Sequence, residues 1–147
     1  MASDAKGLFL GRLADPAKGA TTAEPLLFDP DDLTTHGLIV GMTGSGKTAL
    51  GIVLIEELLR KGIPVLAIDP KGDLGNLLLD FPGLTAEEFS PWVDPKSPGG
   101  AAAEAERWRK GLAGWGLGAE DVASLASCRD ATVFTPSRTA QKFPSPS

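Results

Sequence analysis

One segment of the sequence combines the residue types that bind phosphate groups, and it covers residues 41–48 with the letters GMTGSGKT. Glycines allow backbone angles that turn successive N–H groups toward one point, which makes a nest for phosphate oxygens. Lys47 would contact the β- and γ-phosphates as a mobile positive charge, and is the candidate catalytic residue, while the Thr48 hydroxyl would bind Mg²⁺. The pattern G-x-x-x-x-G-K-T therefore predicts a nucleotide site with contacts from Gly41, Thr43, Gly44, Ser45, Gly46, Lys47, Thr48 and Ala49.

A second candidate is Asp69, which ends the apolar run 65–68 and begins the sequence DPKGD. An aspartate at the end of a strand can organise Mg²⁺ in an enzyme of this kind. However, Asp69 follows Lys47 by 22 residues and the residue directly after it is proline rather than glutamate, whereas motor ATPases carry the metal-organising carboxylate on a later strand. Two interpretations of Asp69 therefore stand side by side, a Mg²⁺ ligand and a residue that shapes the edge of the site.

The elements that must position these residues are a strand, a turn, a helix and a second strand. Apolar residues 38–40 and 65–68 predict two buried strands, and helical spacing of apolar residues predicts a helix over 47–61 that ends at Gly62. This order is typical of a parallel, right-handed crossover. A third strand is predicted over 131–135. The fold class is therefore α/β, a P-loop NTPase with a parallel sheet that is incomplete.

The remaining elements are shorter. Residues 7–13 and 25–28 predict an N-terminal β-hairpin or arm. Thr85 and Glu88 have the spacing of a capping box, and helices are predicted over 74–79, 101–115 and 119–127. We expect three parts: an N-terminal β arm over 1–35, a partial P-loop ATPase domain over 36–136 and a disordered tail over 137–147.

Composition restricts the class of protein. The chain has 147 residues, a net charge of −5 and one cysteine, so an intrachain disulfide and a multi-cysteine metal site are excluded. The acidic balance argues against a surface that grips nucleic acid by charge alone. Apolar runs are too short for a signal peptide or a membrane span, and we expect a cytoplasmic protein without membrane contact.

Three weaker features lie outside the loop. His36 stands before the first predicted strand, where a role at the entry to the strand is favoured over catalysis. Trp108, Leu112 and Trp115 form a helical stripe typical of a core or an interface. The cations Arg107, Arg109 and Lys110 favour a solvated helix face, with an arginine finger or a DNA contact as the alternative.

Residues 36–74 resemble the ATPase core of the HerA/FtsK superfamily, most of all HerA-like ATP-binding proteins, through His36, TGSGKT and DPKGD. The resemblance covers most of residues 7–136. It implies a RecA-like core, hydrolysis of Mg-ATP, hexameric rings that move DNA and a nuclease companion. It also implies Lys47 on phosphate and Thr48 on Mg²⁺. The family's later Asp-Glu pair, sensor and arginine finger have no counterpart here, so we expect an N-terminal part that is inactive alone.

Two alternatives differ in mechanism from a motor segment. A nucleotide switch similar to ParA and MinD would use Asp69 as its working carboxylate, although Met42 replaces the early lysine of that loop. A non-catalytic nucleotide-binding remnant would lack a cooperative unfolding transition and would not respond to Mg-ATP.

Overall fold

The computed structural model describes residues 7–135 and the backbone of residues 138–143. The chain divides into two compact units between Leu74 and Gly75. Unit 1 carries the glycine-rich loop and Asp69, and unit 2 carries most of the buried residues.

Unit 1 begins with the predicted hairpin, which is confirmed. Strand β1 (Leu8–Asp15) pairs antiparallel with strand β2 (Ala20–Phe28). The turn between them closes where the backbone N–H groups of Lys18 and Gly19 donate to the carbonyl of Asp15, at 3.2 and 2.9 Å. We refer to β1 and β2 together as the N-terminal hairpin. Leu8 is completely buried and anchors it.

The helix predicted after the loop is also confirmed, as α1 (Lys47–Arg60). Its end is set by Gly62, which adopts a left-handed φ of 71°. The Gly62 N–H donates to the carbonyl of Leu59 and the Ile63 N–H to that of Leu58, at 2.9 and 3.0 Å. These are the two bonds of a Schellman motif, in which glycine avoids the steric cost of the left-handed conformation.

Among the described residues, the structure does not show the predicted parallel sheet. Residues 38–40 and 65–68 are not in strands, and Leu38, Leu66 and Ile68 are 86, 87 and 85% exposed. The described strands form two separate antiparallel pairs instead. A strand requires a neighbour that pairs with its backbone groups, and among the described residues neither segment has one. The mixed α/β composition is confirmed.

Unit 2 packs short helices around an aromatic core. It contains α2 (Ala86–Phe89), α3 (Gly100–Ala113) and α4 (Ala119–Cys128), with 3₁₀ turns at Gly75–Leu78 and Ser90–Trp92. Leu84, Phe89 and Ala105 are buried together. The rings of Phe81 and Phe89 stack with centroids 4.3 Å apart. The helices predicted over 101–115 and 119–127 are confirmed to within two residues.

The predicted capping box is confirmed at the start of α2. The Thr85 hydroxyl accepts a hydrogen bond from the Glu88 N–H at 3.4 Å, and the Glu88 carboxylate accepts from the Thr85 N–H at 3.1 Å. The second carboxylate oxygen of Glu88 accepts from the Gly83 N–H at 3.0 Å. Glu88 therefore satisfies two backbone donors in front of a helix of only four residues.

Two arginines tie the loops of unit 2 to its helices. Leu84 has a left-handed φ of 49°, and Arg109 donates to its carbonyl through Nε and Nη2 at 3.1 and 2.9 Å. Arg129, whose side chain is 11% exposed, pairs with Asp80 and donates to the carbonyls of Leu77 and Leu78. Both arginines thus bind backbone carbonyls that no helix satisfies.

The tail differs from its prediction. Strand β3 (Ala131–Thr135) is confirmed as a strand but pairs antiparallel with β4 (Arg138–Phe143). Part of the tail predicted to be disordered, 137–147, is therefore a strand, because β3 offers its backbone groups to residues 138–143. The other tail residues, 137 and 144–147, lie outside the described residues.

Candidate phosphate-binding site

The glycine-rich loop turns at two glycines in the left-handed region. Gly44 has φ 79° and Gly46 has φ 89°, angles that other residues adopt at a steric cost. The Ser45 N–H closes the turn by donating to the carbonyl of Met42 at 3.2 Å. A Cβ atom at Gly41 would overlap the Ser45 hydroxyl, so the Ser45 side chain would have to rotate to accommodate it. The backbone of the loop therefore favours glycine at Gly44 and Gly46.

Helix α1 begins directly after the loop, with Gly46 as its N-cap and no side-chain cap. The first helical hydrogen bond runs from the Leu50 N–H to the carbonyl of Gly46, at 2.9 Å. The N–H groups of Lys47, Thr48 and Ala49 precede it in the helix and have no acceptor inside it. This end of a helix also carries the positive end of the helix dipole, so the arrangement favours an anion.

Lys47 lies back over the loop that precedes it. Its Nζ atom donates to the carbonyl of Met42 at 2.6 Å, which closes a ring around the turn at Gly44. Lys47 is the one partly buried residue of the loop, and the other residues of 41–49 are exposed. The structure thus brings the charge of Lys47 and the exposed backbone of the loop into one place.

Asp69 is held by the backbone of its own loop. One carboxylate oxygen accepts hydrogen bonds from the N–H groups of Lys71, Gly72 and Asp73, at 3.3, 2.8 and 3.2 Å. The other accepts from the Leu74 N–H at 2.9 Å. These bonds, that from Leu74 first, lower the pKa of Asp69 below its ordinary value of 3.8, because they favour the charged carboxylate. The geometry gives Asp69 the role of shaping the DPKGD loop.

The metal-binding chemistry available here is limited. Among the described residues, no group of three or more His, Cys, Asp or Glu side chains could hold a metal ion. Mg²⁺ prefers oxygen ligands and is often held by one or two protein groups together with phosphate oxygens. The exposed Thr48 hydroxyl fits such a partial role, in which the nucleotide supplies further ligands.

The cations of α3 are engaged within unit 2. Arg107 pairs with Glu104, and Glu106 pairs with both Arg109 and Lys110, at 3.1 and 3.4 Å. Arg109 also holds the carbonyl of Leu84. These contacts agree with the interpretation of a solvated helix face. His36 is exposed, and the two tryptophans of the predicted stripe are about half exposed, at 47 and 46%.

Sequence reasoning missed Glu57 on α1. Its carboxylate accepts a hydrogen bond from the Phe9 N–H at 2.7 Å, across 48 positions of the chain. No local pattern points to this contact, because a glutamate on an amphipathic helix is ordinarily solvated. A weak signal was available in its position, because Glu57 follows Leu50 by seven residues and Leu54 by three and so lies on the apolar face of the helix.

The loop, the helix that follows it and the lysine at their junction match the pattern of a P-loop protein. Comparison with known families names the particular group. The family model described as the central domain of helicase HerA matches residues 8–133, and the chain therefore belongs to this family.

Two kinds of curated relative match shorter stretches. The type 4 coupling protein DotL of Legionella pneumophila is 46% identical over 52 residues, which are 35% of this chain and 7% of DotL. The ESX-3 secretion system protein EccC3 of Mycobacterium tuberculosis is 37% identical over 75 residues, 44% of this chain and 6% of EccC3. The chain thus corresponds to a small fraction of either relative. No solved structure matches it.

Within the described part of the chain, we find no helix with the length and apolar character needed to span a bilayer.

Proposed function

We propose that this chain is the ATP-binding segment of a HerA-like motor ATPase, and that residues 41–48 hold the phosphates of Mg-ATP. The observation that carries the proposal is the exposed loop at the start of α1, with Gly44 and Gly46 left-handed and Lys47 folded over it. Membership of the HerA family supports ATP as the nucleotide.

Each residue of the loop has a distinct part in this proposal. The backbone N–H groups at the start of α1 donate to phosphate oxygens, which they reach without a competing helical acceptor. Lys47 adds a positive charge beside the β- and γ-phosphates. Thr48 supplies one oxygen to Mg²⁺, whose charge would offset that of the phosphates.

In this proposal Asp69 shapes its own DPKGD loop and does not hold the metal. A switch similar to ParA and MinD would need the Asp69 carboxylate as its working group. The Asp69 carboxylate accepts hydrogen bonds from four backbone N–H groups, and this supports the loop-shaping role. If the wild type dimerises when nucleotide is added and Asp69→Asn does not, the result would favour the switch instead.

The direct test is binding of Mg-ATP to the whole chain by isothermal titration calorimetry. Lys47→Ala removes a charge-assisted contact, so we expect its Kd to rise by about 10- to 100-fold. Lys96→Ala is the matched control, because Lys96 is an exposed loop lysine in unit 2. Equal Kd values for the wild type and Lys47→Ala would contradict the proposal.

Thr48→Ala tests the metal contact separately. We expect it to weaken ATP binding in the presence of Mg²⁺ and to leave binding in EDTA nearly unchanged, because the hydroxyl acts through the metal. An equal loss in both conditions would assign Thr48 to phosphate rather than to Mg²⁺.

The cargo of the assembly is a further part of the proposal. We propose DNA as the cargo, because the matching family is described by the helicase HerA. A net charge of −5 disfavours DNA binding by one chain, so the proposed contact lies in a hexameric ring of the motor, alongside a nuclease. The names of DotL and EccC3, a coupling protein and a secretion system protein, make a secreted substrate the alternative. Stimulation of ATP turnover by duplex DNA in the assembled motor would distinguish the two.

A further inference from the structure

The carboxylate of Glu57 on α1 contacts the backbone of the N-terminal hairpin. One oxygen of Glu57 accepts from the Phe9 N–H at 2.7 Å, and the other lies 3.7 Å from Arg60. The Glu57 side chain is 15% exposed, so water competes weakly for these contacts. A charge-assisted bond at such a place is stronger than a surface bond between neutral groups.

The position of Phe9 explains why the hairpin uses this contact. The register of β1 on β2 shifts between Phe9 and Gly11, so the regular ladder is interrupted there. A backbone N–H at an interruption needs an acceptor outside the ladder. Glu57 supplies it, and a two-stranded hairpin that is marginal by itself gains a helix to pack against.

The position of Glu57 on α1 connects this contact with the loop. Glu57 follows Lys47 by ten residues on the same helix, about 15 Å along its axis. A helix transmits a shift at one end to the other, because its backbone bonds keep it rigid along its length. The phosphate loop therefore adjoins the N-terminal end of α1, and the hairpin contacts the same rigid helix near its C-terminal end.

We propose that Glu57 is a positioning residue that couples the N-terminal hairpin to the phosphate loop, so that Mg-ATP binding tightens the hairpin and an attached hairpin strengthens Mg-ATP binding. This inference rests on the proposed function of residues 41–48. Ordering α1 from the hairpin side reduces the freedom that the loop loses when it closes on phosphate. By linkage, each site changes the affinity at the other by the same factor.

Amide hydrogen exchange of Phe9, followed by NMR in the whole chain, tests the inference without any substitution. We expect Mg-ATP to slow exchange of the Phe9 amide in the wild type by about 5-fold or more, the lower range of typical coupling. Binding of Mg-ATP with unchanged exchange at Phe9 would overturn the coupling while leaving the proposed function intact. Failure of the wild type to bind Mg-ATP would overturn both.

Two variants then identify Glu57 as the connection. Glu57→Ala should accelerate Phe9 exchange without nucleotide and weaken Mg-ATP binding by about 5-fold. Glu57→Gln should stay within about twofold of the wild type, because its amide oxygen still accepts the Phe9 N–H. Glu120→Ala, an exposed glutamate at the start of α4 in unit 2, is the control and should leave both readouts unchanged.

The outcomes separate positioning from a general loss of structure. The proposal is supported if Glu57→Gln stays near the wild type while Glu57→Ala changes both Phe9 exchange and Mg-ATP affinity. A loss in Glu57→Gln or in Glu120→Ala as large as that in Glu57→Ala, or unchanged Phe9 exchange in Glu57→Ala, would overturn it. If Glu57→Ala fails to fold, Phe9 exchange in the wild type with and without Mg-ATP still decides whether the two sites are coupled.

Discussion

Apolar residues behave in opposite ways in the two units. In unit 1, the apolar segments on either side of the phosphate loop and α1 are exposed, with Leu66 at 87%. In unit 2, Leu84 and Phe89 are each 3% exposed, within a few residues of a capping box. The two regions have similar apolar content, so composition alone does not decide burial.

The two units differ in how far along the chain the segments lie that would bury their apolar residues. The partners of Phe89 are Phe81 and Trp108, which belong to neighbouring parts of the same unit. Residues 38–40 and 65–68 need strands alongside them, and a parallel strand reaches its neighbour only through a long crossover. Short-range contacts therefore form a core with few residues, while a parallel sheet depends on several distant segments at once.

The largest expected effect comes from making the same substitution in both regions. Leu84→Ala should lower the free energy of unfolding by about 2–5 kcal/mol, because it opens a cavity beside Phe89. Leu66→Ala should change it by less than about 0.5 kcal/mol, because the side chain is already exposed to water. Denaturation in urea would measure both. Similar losses in the two variants would show that Leu66 is buried in solution.

The capping box gives an effect of intermediate size. Glu88→Ala leaves the N–H groups of Gly83 and Thr85 without their carboxylate, and should cost about 1 kcal/mol of unfolding free energy. Glu24→Ala, which removes an exposed carboxylate from β2 and keeps both of those bonds, is the control. If the two variants were equally stable in urea, the box would not hold α2.

Asp69 gives the smallest effect, and it depends on pH. Its pKa is lowered in the folded chain, so its bonds stabilise the loop above the ordinary value of 3.8 and are lost as pH falls through the lowered pKa. Carboxyl ¹³C NMR should show a titration midpoint below 3.8. In Asp69→Asn the pH response of the Gly72 and Leu74 amides should disappear. A midpoint at or above 3.8 would contradict the four backbone bonds.

Local signals in the sequence predicted the local structure well. The hairpin, α1, α3, α4 and the Thr85–Glu88 box all depend on residues within one turn or one helix, and all are confirmed. The requirement for glycine at the loop could also be predicted, because left-handed angles at Gly44 and Gly46 depend on the chain itself. The roles of Lys47 and Thr48 toward nucleotide stay predictions.

Contacts between distant residues escaped prediction. The parallel sheet was expected from apolar runs, but a run does not reveal whether a neighbouring strand is present to pair with it. The tail was expected to be disordered, and β4 forms because β3 lies beside it. Glu57 and Arg129 look like surface charges in the sequence, and only their backbone partners show otherwise.

By itself, the sequence determined the helices, their ends, the turn at the glycine-rich loop and the family to which the chain belongs, because each rests on residue types at short spacing. Only the tertiary structure decided that Glu57 binds the backbone of the hairpin and that Arg129 binds the carbonyl of Leu78. The physical reason is that a hydrogen-bonding group has many acceptable partners, and the folded chain selects one by bringing it within reach.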